Sequence, residues 1–322
     1  MKSTIKLLGV LMILIASVSL AVGAPQTNAT VNVSAAVGST AGDGPVIQKM
    51  FVLADDDLLT PGTQVMPVPG VGNDKSYKDF NKYVIVMDPN GISDIAVVYE
   101  KLYYPNGTLV SPETTCVDIT NSAEQDQALN DALKAGLITS SELTNFKWEL
   151  DPLKQQAKMF RVENSLSNCD PAGSYQVYFK AVDNGGLYLE NTTNFDYLKL
   201  KAIGLDFDSI NYGSVTVNTE KWVAGDDVWG TPTKPTIKNE GNDPLQISVQ
   251  GSTMTGDKLK QPLSAGALSV ELLGQHVYGL ASPVILTGSL QPCKPTQISF
   301  DIKAPLGTAS DNYKGSVTIK IA

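Results

Sequence analysis

The sequence predicts a mostly β protein made of two antiparallel β-sandwich domains, the first of which carries a helical insertion. Three observations support this prediction: short runs rich in Val, Ile and Tyr recur along the chain, turn-forming motifs separate them, and a helical pattern interrupts them once. The predicted parts are a signal peptide at residues 1–24, a flexible segment at 25–45, one sandwich at 46–202 and a second at 203–322.

The first 24 residues have the pattern of a secretory signal peptide. Lys2 and Lys6 precede an apolar run from Leu7 to Leu20, and small residues follow at Ala21 and Ala24. An uncleaved anchor is the other reading, but the run is shorter than the roughly 20 residues that a spanning helix needs. We therefore expect the protein to be secreted, either to the extracellular space or to the cell surface.

Residues 25–45 are rich in small side chains and alternate as a strand does. Ala29, Val31, Val33 and Ala35 occupy every second position, and a Gly/Ser-rich stretch follows them. One reading is a disordered leader. The other is a donor strand that leaves its own domain and pairs with the sheet edge of another subunit, which predicts self-association.

Residues 46–202 contain a series of expected strands separated by tight turns. The strands are expected at Val46 to Leu53, Tyr83 to Met87, Ile92 to Tyr104, Gly173 to Val182 and Leu187 to Leu200. Between them, Asp-Pro-Asn-Gly, Tyr-Pro-Asn-Gly and Asp-Asn-Gly-Gly supply the positive φ angles of hairpin turns. Such a series favours an antiparallel sandwich of immunoglobulin-like shape.

A helical insertion is expected at about residues 121–146. Its signals are a capping-box pair, an apolar repeat and a terminating glycine: Ser122 with Gln125, then Leu129, Ala132 and Leu133, then Gly136. A second short helical turn can begin at Thr139. We expect this hairpin of helices to cap one end of the sandwich.

Residues 203–322 show the same strand-and-turn texture. Two strand-like runs flank the Asn-Glu-Gly-Asn-Asp-Pro turn at 239–244, and the chain closes with Pro305-Leu-Gly-Thr308 before Tyr313-Lys-Gly315. These motifs resemble the immunoglobulin-like β-sandwich modules of secreted and cell-surface proteins, especially archaeal ones. Asp311 and Asn312 depart from the glycine usual in that family. The resemblance covers the Asp88–Asp94 turn more loosely, and it implies a fold and a surface location rather than an activity.

Composition argues against several functions. Lys plus Arg total 24 against 33 Asp plus Glu, the net charge is −9, and Arg161 is the only arginine, so no nucleic-acid partner is expected. His276 is the only histidine and lies in an apolar, strand-like run. Because no nucleophile elbow, phosphate loop or dinucleotide fingerprint occurs either, we expect no enzyme.

The cysteines and sequons suit an exported protein. Cys116 and Cys169 flank the helical stretch, and in an oxidising compartment they are expected to form a disulfide. Cys293 is then either a buried thiol or a link between subunits. Four sequons are possible glycosylation sites, at Asn28, Asn32, Asn106 and Asn191.

Carboxylates in loops predict calcium as the one cofactor to consider, because calcium takes several oxygen ligands. The first candidate is the triple Asp55, Asp56 and Asp57. The second is Asp88, Asn90 and Asp94, with Asp183 and Asn184 at the same end of the sandwich. Both patterns also form ordinary metal-free loops.

Two tryptophans, Trp222 and Trp229, flank a Gly-Asp-Asp turn and could form a ligand platform or fill the bottom of the second core. The sequence as a whole predicts a non-catalytic extracellular structural or interaction protein, with assembly into a filament or layer by N-terminal strand donation as its fuller form. The alternative is an adhesion module that binds carbohydrate or another surface ligand. Expected partners are further copies, other surface proteins or glycans.

Overall fold

The computed structural model describes residues 43–322. The predicted signal peptide, the donor strand at Ala29, Val31, Val33 and Ala35, and the sequons at Asn28 and Asn32 lie outside the described residues. Within residues 43–322, no helix is both long enough and apolar enough to cross a membrane.

Residues 46–197 form two sheets that pack face to face. Their strands are β1 (Val46–Leu53), β2 (Gln64–Val65), β3 (Tyr77–Met87), β4 (Ile95–Tyr103), β5 (Leu109–Thr115), β6 (Val117–Asp118), β7 (Ala157–Ser167), β8 (Gly173–Asp183) and β9 (Tyr188–Tyr197). One sheet has the order β1-β3-β7-β6 and the other the order β2-β9-β8-β4-β5. Only β2 and β9 pair in parallel. Alternate side chains, such as Val84 of β3 and Val177 of β8, meet in a shared core.

Two helices interrupt this sandwich between β6 and β7, α1 (Ala123–Lys134) and α2 (Ser140–Glu149). The Ser122 hydroxyl accepts a hydrogen bond from the Gln125 amide at the start of α1, and Thr139 with Glu142 forms a complete capping box on α2. The insertion is confirmed, and α2 ends a few residues beyond the expected boundary.

The expected position of the helices at one end of the sandwich is wrong. Leu129 and Phe146 of the helices pack against Phe51, Ile85 and Met159, which lie on the outer face of the four-stranded sheet. Strands β1, β3 and β7 carry apolar residues on both faces, so their outer face needs a cover of its own. The helices bury that face.

Residues 203–321 form a second set of sheets with a separate apolar core. Their strands are β10 (Ile203–Leu205), β11 (Lys221–Val223), β12 (Thr236–Asn239), β13 (Ile247–Gly251), β14 (Met254–Gly256), β15 (Pro262–Leu263), β16 (Leu268–Leu272), β17 (Gln275–Tyr278), β18 (Val284–Ile285), β19 (Pro295–Ile302), β20 (Tyr313–Lys314) and β21 (Val317–Ile321). The largest sheet has the order β10-β12-β19-β16-β17, with β11 also paired with β19. Two three-stranded sheets, β18-β13-β21 and β15-β14-β20, complete the set.

The mostly β fold with several sheets is confirmed. Among the described residues, no strand of the second set pairs with a strand of the first. The division into two domains at residue 202 stays a prediction.

A disulfide joins Cys169, in the turn after β7, to Cys293, in the loop before β19, with Cα atoms 5.5 Å apart. The expected Cys116–Cys169 bond is therefore wrong, and so is the reading of Cys293 as a thiol or an intersubunit link. Cys116 is a buried free cysteine in the core of the first sandwich. The cellular compartment indicates that cysteines pair, but which of them meet depends on the fold.

Hydrogen bonds accompany the disulfide where the first sandwich meets the second set of sheets. The Glu240 carbonyl accepts from the Gly70 amide at 2.8 Å and from the Asn168 side-chain nitrogen at 2.9 Å. The Lys238 ammonium donates to the Gly72 carbonyl at 2.6 Å. A covalent bond and several polar contacts thus cross from one set of sheets to the other.

Candidate functional site

Three carboxylates from two turns meet at one end of the first sandwich. Asp88 follows β3, Asp94 lies in the short 3-10 turn before β4, and Asp183 ends β8. Each of the three offers a carboxylate oxygen, and these oxygens all lie within 4.8 Å of one another. Asp183 therefore joins Asp88 and Asp94, two of the three residues predicted for this site, and Asn90 is not part of the cluster.

Local hydrogen bonds hold these turns in place. The Asp88 Oδ1 accepts from the Asn90 amide at 2.8 Å, and Gly91 completes the turn with a φ of 106° that favours glycine. The Asp183 Oδ1 accepts from the Leu187 amide at 2.7 Å. The Asn184 amide donates to the Asp94 carbonyl at 2.8 Å, so the two turns are bonded to each other.

The cluster carries negative charge that nothing described neutralises. Asp88 and Asp183 are each only 4% exposed, and Asp88 Oδ2 is buried without a hydrogen-bond partner. Among residues 43–322, no lysine, arginine or histidine forms an ion pair with any of the three acids. Burial, and then the charges of Asp94, Asp183 and Asp43, raise the pKa of Asp88.

The remaining predicted metal ligands have other contacts. Asn90 is exposed, and its side-chain nitrogen donates to the Asp43 carbonyl at 2.9 Å. In the triple Asp, Asp55 accepts from the Gln64 amide at 3.0 Å and Asp56 pairs with Lys78 at 2.9 Å. Asp57 accepts from the Thr60 hydroxyl at 2.6 Å, and this hydrogen bond lowers its pKa. These bonds close the loop between β1 and β2, and the three carboxylates do not converge.

A second feature is an apolar groove of about 380 Å³ beside β21. Its lining is apolar at Leu205, Phe207, Ile210, Tyr212, Val317 and Ile319 and polar at its margin, where Asp208, Ser209, Lys314 and Ser316 lie. Val317, Ile319 and Ile321 alternate with the exposed Thr318 and Lys320 along the strand, so one face of β21 points into the groove and the core.

One edge of β21 has no neighbouring strand among residues 43–322. Ala322 donates to the Gln246 carbonyl and Ser316 accepts from the Ser252 amide, so even-numbered positions bond toward β13. The backbone groups of Val317, Ile319 and Ile321 consequently face the open edge.

The two predicted platform tryptophans have separate surroundings. Trp222, on β11, lies with its ring 4.9 Å from that of His276, whose ring lies 4.0 Å from that of Tyr278. His276 Nε2 is 2.8 Å from Asp301 Oδ2. Trp229 is half-buried instead, beneath the ammonium of Lys238 at 5.7 Å.

Sequence reasoning did not predict that His276 and Tyr278 lie beside Trp222. Strand pairing places Trp222 beside Asp301, Asp301 beside Ser269, and Ser269 beside Tyr278. This row depends on the order β11-β19-β16-β17, which local sequence does not reveal. The result is a cluster of three aromatic rings in which Tyr278 is 69% exposed.

The sequons within the described residues differ in access. Asn106 is exposed in the turn before β5, where its side chain accepts from the Thr108 amide at 3.0 Å. Asn191 is half-buried in β9. Asn106 is the more accessible acceptor for a glycan.

Comparisons with known proteins add little beyond the β architecture. No family model matches the chain, and no curated protein matches it. Among solved structures, the C-terminal domain of the Streptococcus pyogenes antigen I/II-family protein AspA matches with a TM-score of 0.23 and 11% identity, over 85% of this chain and 95% of that one. BcpA, the major pilin subunit of Bacillus cereus, matches at 0.26 and 10%, over 76% and 66%.

The secreted serine protease VesC from Vibrio cholerae matches with a TM-score of 0.20 and 10% identity, over 81% of this chain. This chain spans about half of that protein, 49% of its length. No functional conclusion follows from similarities this low.

Proposed function

We propose that this chain is a non-catalytic structural or interaction protein of the cell exterior whose copies assemble by strand donation. In this proposal, residues 29–35 of one copy add to the open edge of β21 in the next copy and build a filament or layer. The observation that carries the proposal is the unpaired edge of β21 beside an apolar groove.

The donor segment has the pattern that such an edge would accept. Residues 29–35 span about 23 Å when extended at about 3.3 Å per residue, which is enough to cover the length of β21. Backbone hydrogen bonds to Val317, Ile319 and Ile321 would supply affinity. The side chains of Val31 and Val33 would enter the groove and fix the register.

The proposed location has independent support. A disulfide forms and persists in oxidising compartments, and Cys169 and Cys293 are placed to form one. The acidic net charge of −9 also disfavours nucleic acid as a partner.

The direct test is removal of residues 25–42 from the mature chain. Negative-stain electron microscopy and light scattering of the natively purified mature protein should show filaments or layers. The deletion variant should give folded monomers. Assembly that survives the deletion would refute strand donation.

Matched point variants sharpen this test. Val33→Asp introduces a charge on the apolar face of the donor segment and should abolish assembly. Asn32→Asp introduces the same charge on the opposite face and should leave it intact, in protein from a host that does not glycosylate. Equal behaviour of the two variants would contradict the proposed register.

The aromatic cluster favours one alternative, an adhesion module that binds carbohydrate. Aromatic rings with an exposed face can stack on sugars. Trp222 and Tyr278 are exposed and lie on either side of His276, whose ring is held by the fully buried Asp301. Glycan-array binding that is lost in Trp222→Ala but kept in Trp229→Ala would support the alternative, and an array without any bound glycan would count against it.

A further inference from the structure

The Asp88, Asp94 and Asp183 cluster has a buried acceptor that no group within residues 43–322 satisfies. Buried carboxylates in folded proteins are ordinarily paired or hydrogen-bonded, because an uncompensated buried charge is costly. Local bonds account for Asp88 Oδ1 and Asp183 Oδ1, but Asp88 Oδ2 is buried and unpartnered. We propose that a calcium ion binds between Asp88, Asp94 and Asp183 and ties the β3–β4 turn to the β8–β9 turn.

The ligand set favours calcium over other metals. All three side chains are carboxylates, which suit hard cations, and no histidine or cysteine belongs to the cluster. The ligands come from two turns rather than a rigid frame, and calcium tolerates flexible coordination of 6–8 oxygens that includes water. Magnesium demands near-ideal octahedral geometry and parts reluctantly with its own water, so we expect it to bind more weakly.

The stabilising effect of the ion would extend beyond the β3–β4 and β8–β9 turns. The Asn90 side chain, in the same β3–β4 turn, donates to the Asp43 carbonyl where the described chain begins. The charge of Asp43 also acts on Asp88. Calcium at this cluster would therefore also stabilise the contact of the β3–β4 turn with Asp43, where the described residues begin. This inference does not depend on strand donation.

Calorimetry on the full mature chain tests the proposal. After treatment with EDTA and exchange into metal-free buffer, the protein is titrated with calcium chloride, and its Tm is measured across the same concentrations. We expect one equivalent to bind with a Kd of about 10⁻⁴–10⁻³ M, the range of extracellular calcium modules. The Tm should rise with the logarithm of the calcium concentration above that Kd.

Asp94→Asn is the sharpest variant. Asp94 is half-buried and its carboxylate forms none of the described hydrogen bonds, so its replacement should leave the turn intact. We expect the Kd to weaken at least about tenfold, because affinity follows the charge of the ligands. Without calcium, the Tm of the variant should equal or exceed that of the parent, since one of the mutually repelling charges is gone.

Asp79→Asn is the matched control, because it removes one exposed charge on the same sandwich, near the end of β3 that lies away from Asp88. Its Kd and Tm shift should equal those of the parent chain. The proposal is overturned if the parent shows neither binding heat nor a change of Tm up to about 10 mM calcium, well above the expected Kd. Equal affinity in Asp94→Asn, or magnesium binding as tight as calcium binding, would overturn it as well.

Discussion

Lys82 and Glu100 form an ion pair whose two side chains are both fully buried in the core of the first sandwich. Lys82 lies on β3 between the apolar Phe80 and Val84, and Glu100 lies on β4 between Val98 and Leu102. The pair thus bridges the facing sheets. Burial lowers the pKa of Lys82 and raises that of Glu100, while the contact between them opposes both shifts.

Lys82→Met should destabilise the protein strongly. Removing the ammonium leaves Glu100 buried without a counter-charge, and its second oxygen already lacks a partner. The expected loss in the free energy of unfolding is about 3–5 kcal/mol. Urea unfolding of the oxidised protein, followed by intrinsic fluorescence, measures it.

Lys82→Met combined with Glu100→Leu serves as the control for that prediction. Two apolar side chains of similar volume should restore most of the lost stability, because a buried ion pair is seldom more stabilising than well-packed apolar groups. A double variant as unstable as Lys82→Met would show that packing, and not the uncompensated charge, causes the loss.

Leu129→Ala should destabilise the first sandwich although Leu129 belongs to the inserted helix α1. Leu129 is fully buried against the outer face of the four-stranded sheet, so its truncation leaves a cavity. The expected cost is about 2–5 kcal/mol in urea unfolding. The exposed neighbour Gln127 provides the comparison, and Gln127→Ala should change stability by no more than about 0.5 kcal/mol. Similar values for both variants would mean that the insertion contributes little to the fold.

Local pattern predicted several strands, among them β1, β4, β8 and β9, but it missed the long β7 and many short strands of the second set of sheets. β1 occupies the expected Val46–Leu53 because alternation and flanking turns are local signals. The closing run from Tyr313 to Ile321 reads continuously in the sequence, but it divides into β20 and β21 in different sheets. At Gly315, where it divides, a Cβ would lie 2.6 Å from Met254 Cγ. That close approach exists only once β14 is in place.

The candidate sites likewise separate into those that local sequence predicts and those that depend on tertiary contacts. The convergence of Asp88, Asp94 and Asp183 was foreseeable, since turns at the ends of neighbouring strands share one end of a sandwich. The Cys169–Cys293 bond and the contact of Trp222 with His276 join residues distant in sequence. Neither follows from spacing, because each depends on the order of strands within or between the sheets.

Val317→Pro should prevent assembly without unfolding the second set of sheets. The Val317 amide faces the open edge of β21, so proline there removes a donor that a donated strand needs but that β13 does not use. Size-exclusion chromatography with light scattering should show folded monomers. Thr318→Ala is the control, and it should assemble as the parent does. Assembly of Val317→Pro would exclude this edge as the acceptor.

Cys169→Ala combined with Cys293→Ala should lower stability, whereas Cys116→Ala should not alter the disulfide. The bond closes a loop with a sequence separation of 124, for which the chain-entropy relation gives an upper value of roughly 5 kcal/mol. Urea unfolding measures the loss of stability.

Cys116 should react with iodoacetamide only after unfolding, since burial raises its pKa to about 12. A non-reducing peptide map checks the pairing and the alkylation. A peptide pair linked through Cys169 and Cys293 supports the bond, whereas a Cys116–Cys169 pair would contradict the junction between the two sets of sheets.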